Sequence, residues 1–496
     1  MGNFTLLSKD ILNSLKIASL LKDIDSLSKD LKKEVYLVGG IVRDFILGMV
    51  KENEMDIAVE GDVKVFGEEL ARRISGSFFC LDKKRSLFRV VLKKGEEFVQ
   101  IDIVGFREGM IEEDLLLRDF TVNSLAVKLK DILEEKGVSV IDPSEGIKDI
   151  QNKIIRVKDE KILEDDPLRL LRGIRFLTLG FHLEERTEKF IKAKSHLIKT
   201  VSPERIKEEL FKIFLSPKSS YFIQKLYKLN LLEFLFQEIK SLENISIGEG
   251  KRYNLWKHSL NTLIFLEEIF DSLEFLFPHY FDWLKVHLKE EVEANISKKE
   301  IAKFCALFHD IGKPKTMTED NQGNRRFFEH EKVGAEIGKN FGLGLKMSNR
   351  SVDSIKKIIL NHLRPLHMSK AEKLSERAFF RFFKDIGKEG VEVCLIALAD
   401  AKATLKEGRD LNNTDVSGVI DRLFDYYLNR YIKFEEKPLI RGKDLINLYG
   451  IKPGPIFGEI LREVQEARGS GIIIDRNEAL KYIEEIFGID QIRQYL

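Results

Sequence analysis

Two sets of residues in this chain have the types and spacing of phosphate chemistry. The first lies in "VGGIVRDFILGMVKENEMDIAVEGD", from Val38 to Asp62. Gly39 and Gly40 close a short apolar run and precede a helical pattern, so the backbone can turn sharply and offer N–H donors at a helix start. Arg43 and Asp44 fall in the first turn of that helix, where a guanidinium can reach phosphate oxygens. Glu54 and Asp56 stand two apart on the next strand pattern, so both side chains leave the same face. Carboxylates placed that way can share divalent cations, which would activate an attacking hydroxyl and hold a triphosphate for in-line displacement. Asp102, in "FVQIDIV", is a natural third carboxylate from a neighbouring strand. A glycine pair or an acid-x-acid step alone would mean only a turn or a solvated surface. Three such elements in order within one region point to phosphate transfer.

The second set lies far downstream. His258, the adjacent pair His309-Asp310, His330, His362, His367 and Asp400 fall in helical patterns, and five of the nine histidines of the chain are among them. That clustering favours ligation over scattered core use. His258, His309, Asp310 and Asp400 offer nitrogen and oxygen donors suited to a divalent metal, and His330 with His362 could complete a second position. A metal-bound water would then attack a phosphoester. For His367 a packing role is as reasonable as a ligand role.

Positioning these groups requires two kinds of architecture. From Glu34 to about Val157, β-branched runs ("VYLVGG", "MDIAVE", "FRVVLKK", "FVQIDIV", "VSVID", "KIIRV") alternate with helical stretches, which predicts an α+β domain with a small mixed sheet. After "EDDPLRLL" the strand signals cease and helical periodicity takes over, with Ser202-Pro203 a good helix start. The expected division is a helical lead-in over 1–30, the sheet domain over 31–160, a helical neck over 161–250, an α-helical domain carrying the histidines over 251–410, and a helical tail over 411–496.

Bulk composition narrows the class. The 496 residues exceed one core and suggest about three domains. With 43% hydrophobic and 33% charged residues the balance is that of a soluble globular protein, and a net charge of +1 neither favours nor excludes nucleic acid. Cys80, Cys305 and Cys394 fit no metal spacing and read as reduced core residues. No apolar run approaches a membrane span and the first residues lack a signal-peptide pattern, so a cytoplasmic location without membrane contact is expected.

"VGGIVRDFILG", "RDFTVNSLA", "DPLRLLRGIRF" and "SPERIKEEL" resemble, in order, the signature segments of the bacterial (class II) tRNA nucleotidyltransferase and poly(A) polymerase family. "LIRGKDLINLYGIKPGPIFGEILREVQEARGSGII" resembles the C-terminal segment of many members, and "HDIGKPKT" resembles the HD superfamily of metal-dependent phosphohydrolases. The resemblance implies a nucleotidyltransferase head that extends RNA 3′ ends from CTP or ATP without a nucleic-acid template, using Mg²⁺, joined to an HD domain with its own divalent metal. It implies tRNA as partner. Gly39, Gly40 and Arg43, with Asp44, match the triphosphate-binding turn; Glu54 and Asp56 match the metal pair, with Asp102 beside them. Arg118, Asp119 and Asn123 match the segment that contacts the nucleotide sugar and phosphates. Asp166 and Arg169, with Arg172, match the residues that read the incoming base. Those three step by three along a predicted helix, so they would share a face, and an Asp acceptor with an Arg fork suits the polar edge of cytosine or adenine.

Three departures from the family pattern bear on the product. The metal pair begins with Glu54 where the family has Asp, and one methylene moves a carboxylate by roughly 1.5 Å against a tolerance of about 0.5 Å. The family's Arg-Arg-Asp is Leu117-Arg118-Asp119, and Ser124 follows Asn123 where Ala is usual. The connection from "VGFRE" to "EEDLLLRDF" is very short, which resembles members that add only CC and implies a separate A-adding enzyme on the same tRNA. Full CCA addition and poly(A) synthesis are the alternative products. An HD phosphohydrolase whose weakened head only binds RNA or nucleotide is the alternative of a different class.

Overall fold

The computed structural model describes residues 5–7, 18–49, 53–83, 86–94, 97–106, 110–134, 137–247, 253–321, 325–406, 416–432 and 438–488. The chain divides into two compact units, residues 1–202 with 225–235, and residues 203–224 with 236–496.

The first unit is built on a mixed sheet. Its strands are β1 (Thr5–Leu7), β2 (Val35–Val38), β3 (Glu54–Glu60), β4 (Ser77–Asp82), β5 (Leu87–Lys94), β6 (Glu97–Phe106), β7 (Ala126–Lys128) and β8 (Gly137–Ile141), in the order β1-β8-β7-β2-β3-β6-β5-β4. Only β3 and β6 run parallel; every other neighbouring pair is antiparallel. The alternation in β3 and β6 explains the layering. Met55, Ile57 and Val59, with Val99, Ile101 and Ile103, are buried on one face. Helix Val63–Arg73 covers that face through Phe66 and Leu70, and it approaches so closely at Gly67 that an added Cβ would stand 2.5 Å from the Phe78 ring. The opposite face carries Glu54, Asp56 and Asp102. There Tyr36, Val38, Ala58 and Phe106 pack under Ile111 and Leu115 of the helix Ile111–Leu116, while the β5–β4 side of the same face is left open by the described residues.

The second unit is helical, with short antiparallel ribbons such as Glu291–Glu293 with Ile296–Ser297 and Met317–Glu319 with Arg325–Phe327. Its last part, helices Gly442–Tyr449, Pro455–Gly469 and Arg476–Phe487, surrounds a core of Leu445, Ile460, Val464, Ala479 and Ile483. Glu466 on the middle helix accepts from both Arg377 and Arg381, a buried carboxylate holding two guanidinium groups. Among the described residues no helix is long and apolar enough to cross a membrane.

Several expectations are corrected. The first thirty residues are not simply helical: Thr5–Leu7 pairs with β8, and among the described residues of that region the helix is Ala18–Leu31. Strand pairing continues past the head in the short ribbons, because two or three residues closing a turn leave no readable alternation. Cys80 is exposed rather than buried, since β4 is an edge strand with little packed against it; Cys305 and Cys394 are buried, and burial pushes both thiols well up. Asp166 does not share a helix with Arg169 and Arg172. It is extended (φ −145°, ψ 92°) and the helix begins only at Arg169, because Pro167 disfavours helical backbone in the residue before it.

Candidate active sites

In the head, β3 and β6 bring the carboxylates together. Asp56 lies directly opposite Asp102 across the parallel pair, and Glu54 opposite Gln100, one step along the same face. Neighbouring strands are about 4.8 Å apart, so Asp56 and Asp102 meet as like charges. Burial, then Asp102, pushes the Asp56 carboxyl up to about 6, with Arg118 and Arg172 opposing. A site that disfavours its own negative charge in this way favours a cation. Asp102, however, is held by Arg89, whose Nε and Nη2 donate to its two oxygens at 2.6 and 2.8 Å. Glu54 is exposed at the strand's start.

The glycine turn borders these groups. Gly39 adopts φ +72° as the cap of helix Gly40–Leu47, and a Cβ there would stand 3.0 Å from an Arg118 nitrogen and 3.6 Å from an Asp56 oxygen. The turn is thus a place where only glycine leaves room between an arginine and a carboxylate. Behind it runs a buried polar chain. Arg43 Nη1 donates to Asn123 Oδ1 (2.6 Å), Asn123 Nδ2 to Asp119 Oδ1 (2.9 Å), and Arg172 Nε to Asp119 Oδ2 (2.8 Å). Burial alone would push Asp119 up, but Arg172, Asn123 and Arg169 outweigh it and hold the carboxyl well below its usual range. This chain links the glycine turn to helix Arg169–Leu177. Arg43 also pairs with Asp44 and lies 5.1 Å over the Phe176 ring. Arg118 reaches Asp114, and Arg169 Nη1 donates to the Ile162 carbonyl at 2.9 Å. Asp166 Oδ1 accepts from the Leu168 N–H. Leu117, in the family's first arginine position, is exposed, and Ser124 Oγ donates to the Phe120 carbonyl. Residues 107–109 of the short connection lie outside the described residues; the helix that follows starts at Ile111.

The histidine set converges fully. His258 sits in helix Leu255–Asp271, His309 and Asp310 at the end of Lys298–Phe308, His330 at the start of His330–Gly344, His362 at the end of Asn349–Asn361 and Asp400 in Gly390–Lys406. All six are buried. His258 Nε2 lies 3.0 Å from Asp400 and 3.6 Å from Asp310 Oδ2, which His309 Nε2 approaches to 3.4 Å. The other oxygen of Asp310 faces His330 Nε2 (3.2 Å) and His362 Nε2 (3.8 Å). Each of His309, His330 and His362 turns its Nδ1 to a backbone carbonyl three residues back, at 2.9, 2.8 and 2.7 Å. That bond fixes the tautomer and leaves Nε2 as a lone pair aimed inward.

Those three Nε2 atoms and Asp310 Oδ1 are buried without a hydrogen-bond partner. His258, His309 and Asp400, and again His309, Asp310 and His362, have ligand atoms within 4.8 Å of one another. The donor set fits divalent metal, with Asp310 placed to serve two positions. Burial pushes His362 down to about 3, with His309 adding to it, so its ring is neutral as a ligand must be. Burial opposes ionisation of Asp310 and Asp400, but the surrounding histidines, with Lys313 at Asp310, hold both well below the usual carboxylate range. His367 is not part of the cluster; it lines a basic cavity with Arg364, Arg377 and Arg381.

Three functional neighbours escaped the sequence reading. Arg89 is hidden in "LFRVVLKK" because the register that sets it against Asp102 cannot be read from composition. Lys313, whose Nζ donates to Asp310 Oδ2 at 2.5 Å, follows the His-Asp pair by three residues, and that one-turn spacing was a usable signal. Asp114, the partner of Arg118 four residues on, offered the same kind of signal.

Residues 35–156 match the poly A polymerase head domain, 180–243 the probable RNA and SrmB-binding site of polymerase A, and 255–405 the HD domain. The CC-adding tRNA nucleotidyltransferase of Thermus thermophilus is 29% identical over 91% of this chain and 93% of that protein. The A-adding tRNA nucleotidyltransferase of Deinococcus radiodurans is 28% identical over 90% and 94%. A CCA-adding enzyme solved with CTP shares the fold with a TM-score of 0.65 at 21% identity, over 98% of this chain and 99% of that one. The Thermotoga maritima CCA-adding enzyme complexed with tRNA gives 0.63 at 22%, with the same coverage. One chain thus carries in order a match to a poly A polymerase head, to an RNA-binding segment and to an HD domain.

Proposed function

We propose that this protein is a tRNA nucleotidyltransferase that adds C residues to the tRNA 3′ end from CTP. The observation that carries the reading is the row of Glu54, Asp56 and Asp102 beside the Gly39–Gly40 turn, in a chain similar to such enzymes over nine-tenths of its length. Glu54, Asp56 and Asp102 would hold Mg²⁺, which when bound supplies activation of the tRNA 3′-hydroxyl and charge neutralisation at the triphosphate. The 3′ oxygen forms a bond to the α-phosphorus as the bond to the bridging oxygen breaks, and pyrophosphate leaves. The Gly39–Gly40 turn and Arg118 receive the triphosphate. Arg43, Asn123, Asp119 and Arg172 fix that turn against the helix bearing Arg169, and Asp166 with Arg169 selects the base. In this reading residues 31–160 form the head, 161–250 serve base selection and RNA binding, 251–410 form the HD domain and 411–496 the tail.

The HD cluster is a second centre with a phosphoester substrate. His258, His309, Asp310 and Asp400 would hold one divalent metal, and His330 with His362 would complete a second position; a bound metal would supply an ionised water there. Lys313, paired with Asp310, brings a cation to that carboxylate and would meet phosphate oxygens there.

The test gives the purified protein tRNA transcripts ending before CCA, after C and after CC, each with CTP or ATP and Mg²⁺. Two C residues and no A supports the short-connection argument and a separate A-adding partner. A alone, added only to the CC-ending transcript, makes the chain an A-adding enzyme like its Deinococcus relative. Full CCA or a long A tail changes the product assignment. No extension, with hydrolysis of a 2′,3′-cyclic phosphate, would leave the HD centre as the active one and overturn the head assignment.

A further inference from the structure

The face of the head sheet that carries the carboxylates continues past them as an open surface with a definite composition. One row runs Asp56, Asp102, Arg89, Phe79 across β3, β6, β5 and β4, each residue directly opposite the next. The next rows on the same face place Glu54, Gln100, Val91 and Ser77 together, and Phe98 opposite Lys93. Phe79 is 50% and Phe98 57% exposed, and Lys93 is exposed as well. The other face of these strands is the packed one, where Phe78 stacks on Phe88 at 5.2 Å under helix Val63–Arg73. Two aromatic rings thus face outward on strands whose alternation could have buried them. Basic side chains, Arg89 and Lys93, stand between them.

We propose that this open face, with Phe79 and Phe98 as stacking platforms and Arg89 and Lys93 as phosphate contacts, holds the single-stranded 3′ end of the RNA that the head extends. Exposed aromatic faces accept any base by stacking, and interleaved cations track the backbone, which is the composition of surfaces that bind single-stranded nucleic acid without reading sequence. Continuity sets the occupant. Phe79 is three strand spacings, about 14 Å, from Asp56 along one row, so a strand lying there ends at the carboxylates. Charge agrees in part of the surface: Lys93 lies two rows along from Arg89 and Asp102, where RNA phosphates arrive, and the acids lie where metal and triphosphate are expected. Arg89 belongs to both sets, since it holds Asp102 and borders Phe79. It is a positioning residue that couples an RNA phosphate to the third carboxylate. This inference rests on the nucleotidyltransferase reading and adds the residues that hold the acceptor.

The experiment uses the full chain and an acceptor-stem minihelix whose unpaired 3′ end carries 2-aminopurine, with CTP withheld. In the wild type, stacking quenches the probe on binding. In Phe79→Ala combined with Phe98→Ala the quenching is lost, and in extension assays each single change raises KM for RNA about 10-fold while KM for CTP stays the same. Phe79→Trp keeps both readouts near wild type, a rescue that a merely structural position would not show. Val65→Ala, an exposed site on the helix behind the sheet, is the control that changes neither. Both phenylalanines are at least half exposed, so thermal melting of the variants should match the wild type. Unchanged quenching and unchanged RNA KM in the double variant overturn the proposal. So does conversion of a dimer to a monomer with RNA KM unaltered, which would make the face a contact between copies of this chain. A wild type that quenches the probe but extends no RNA refutes the addition reading and leaves the RNA platform standing.

Discussion

The histidine cluster and the head carboxylates are both gatherings of residue types that can ligate metal, and they are assembled in opposite ways. In the HD cluster three ring nitrogens and a carboxylate oxygen are buried with no hydrogen-bond partner, and backbone carbonyls lock three of the histidines in the ligating tautomer. Leaving such atoms buried costs about 1–3 kcal/mol each, a penalty that a bound metal removes. In the head, Asp102 is already satisfied by Arg89, Glu54 is exposed, and only Asp56 is strained in charge. A preformed, dry site suits a resident metal. An open site with one carboxylate in the grip of an arginine suits a metal that comes and goes with a nucleotide. The two halves of the protein would then hold their ions for different lengths of time.

That contrast can be broken at four points. The largest effect is expected from His309→Ala with Asp310→Ala: metal content after dialysis, measured by mass spectrometry, should fall from a near-stoichiometric amount to background, with nucleotide addition retained. Loss of addition together with metal would mean that the centres are not independent. Next, Asp56→Asn should reduce addition by ~1,000-fold or more while the dialysis-resistant metal stays, since removing a ligand forfeits several kcal/mol of charge stabilisation. Retained addition would remove Asp56 from the site.

Glu54→Asp sharpens the comparison from the other side. If the longer side chain holds the ion off its best position, the shorter one should raise kcat about 10-fold at fixed Mg²⁺, given what an ångström of misplacement can cost. A loss of activity would show instead that the strand is set for Glu. The smallest effect is on stability. Asp56 titrates at about 6 in the folded head, above the usual carboxylate value of 3.8, so folding favours its protonated form. The resulting penalty is absent below pH 4, builds between 4 and 6, and is fully present above 6. Metal-free protein should therefore melt higher at pH 5 than at pH 7.5 in the head transition, and Asp56→Asn should remove most of that difference, worth about 1–3 kcal/mol. A difference that persists in Asp56→Asn would assign it to another group.

The histidine set was readable because each member is a residue type with few other reasons to recur in a helical region, and the structure brings His258, His309, Asp310, His330, His362 and Asp400 together. The head was readable in its glycine turn and acidic strand for the same reason. What escaped was pairing. Arg89 looks like a charged strand residue until the β5–β6 register sets it on Asp102. Asp166 looks helical at a spacing of three until Pro167 is weighed against the periodicity. Cys80 carries no mark that its strand is the edge of the sheet.

The sequence by itself determined which chemical groups the protein has and the order in which they occur: two glycines before a helix, acids two apart on a strand, and a His-Asp pair at a helix end. Local sterics and side-chain chemistry are sufficient for that. Only the tertiary structure decided which groups share a space. Asp56 meets Asp102 through strand register, Asp310 meets His258 through one oxygen and His330 with His362 through the other, each from a separate helix, and Phe79 joins the carboxylate row from three strands away. Those encounters join residues distant in sequence, so the packing of apolar faces fixes them, not any neighbour along the chain.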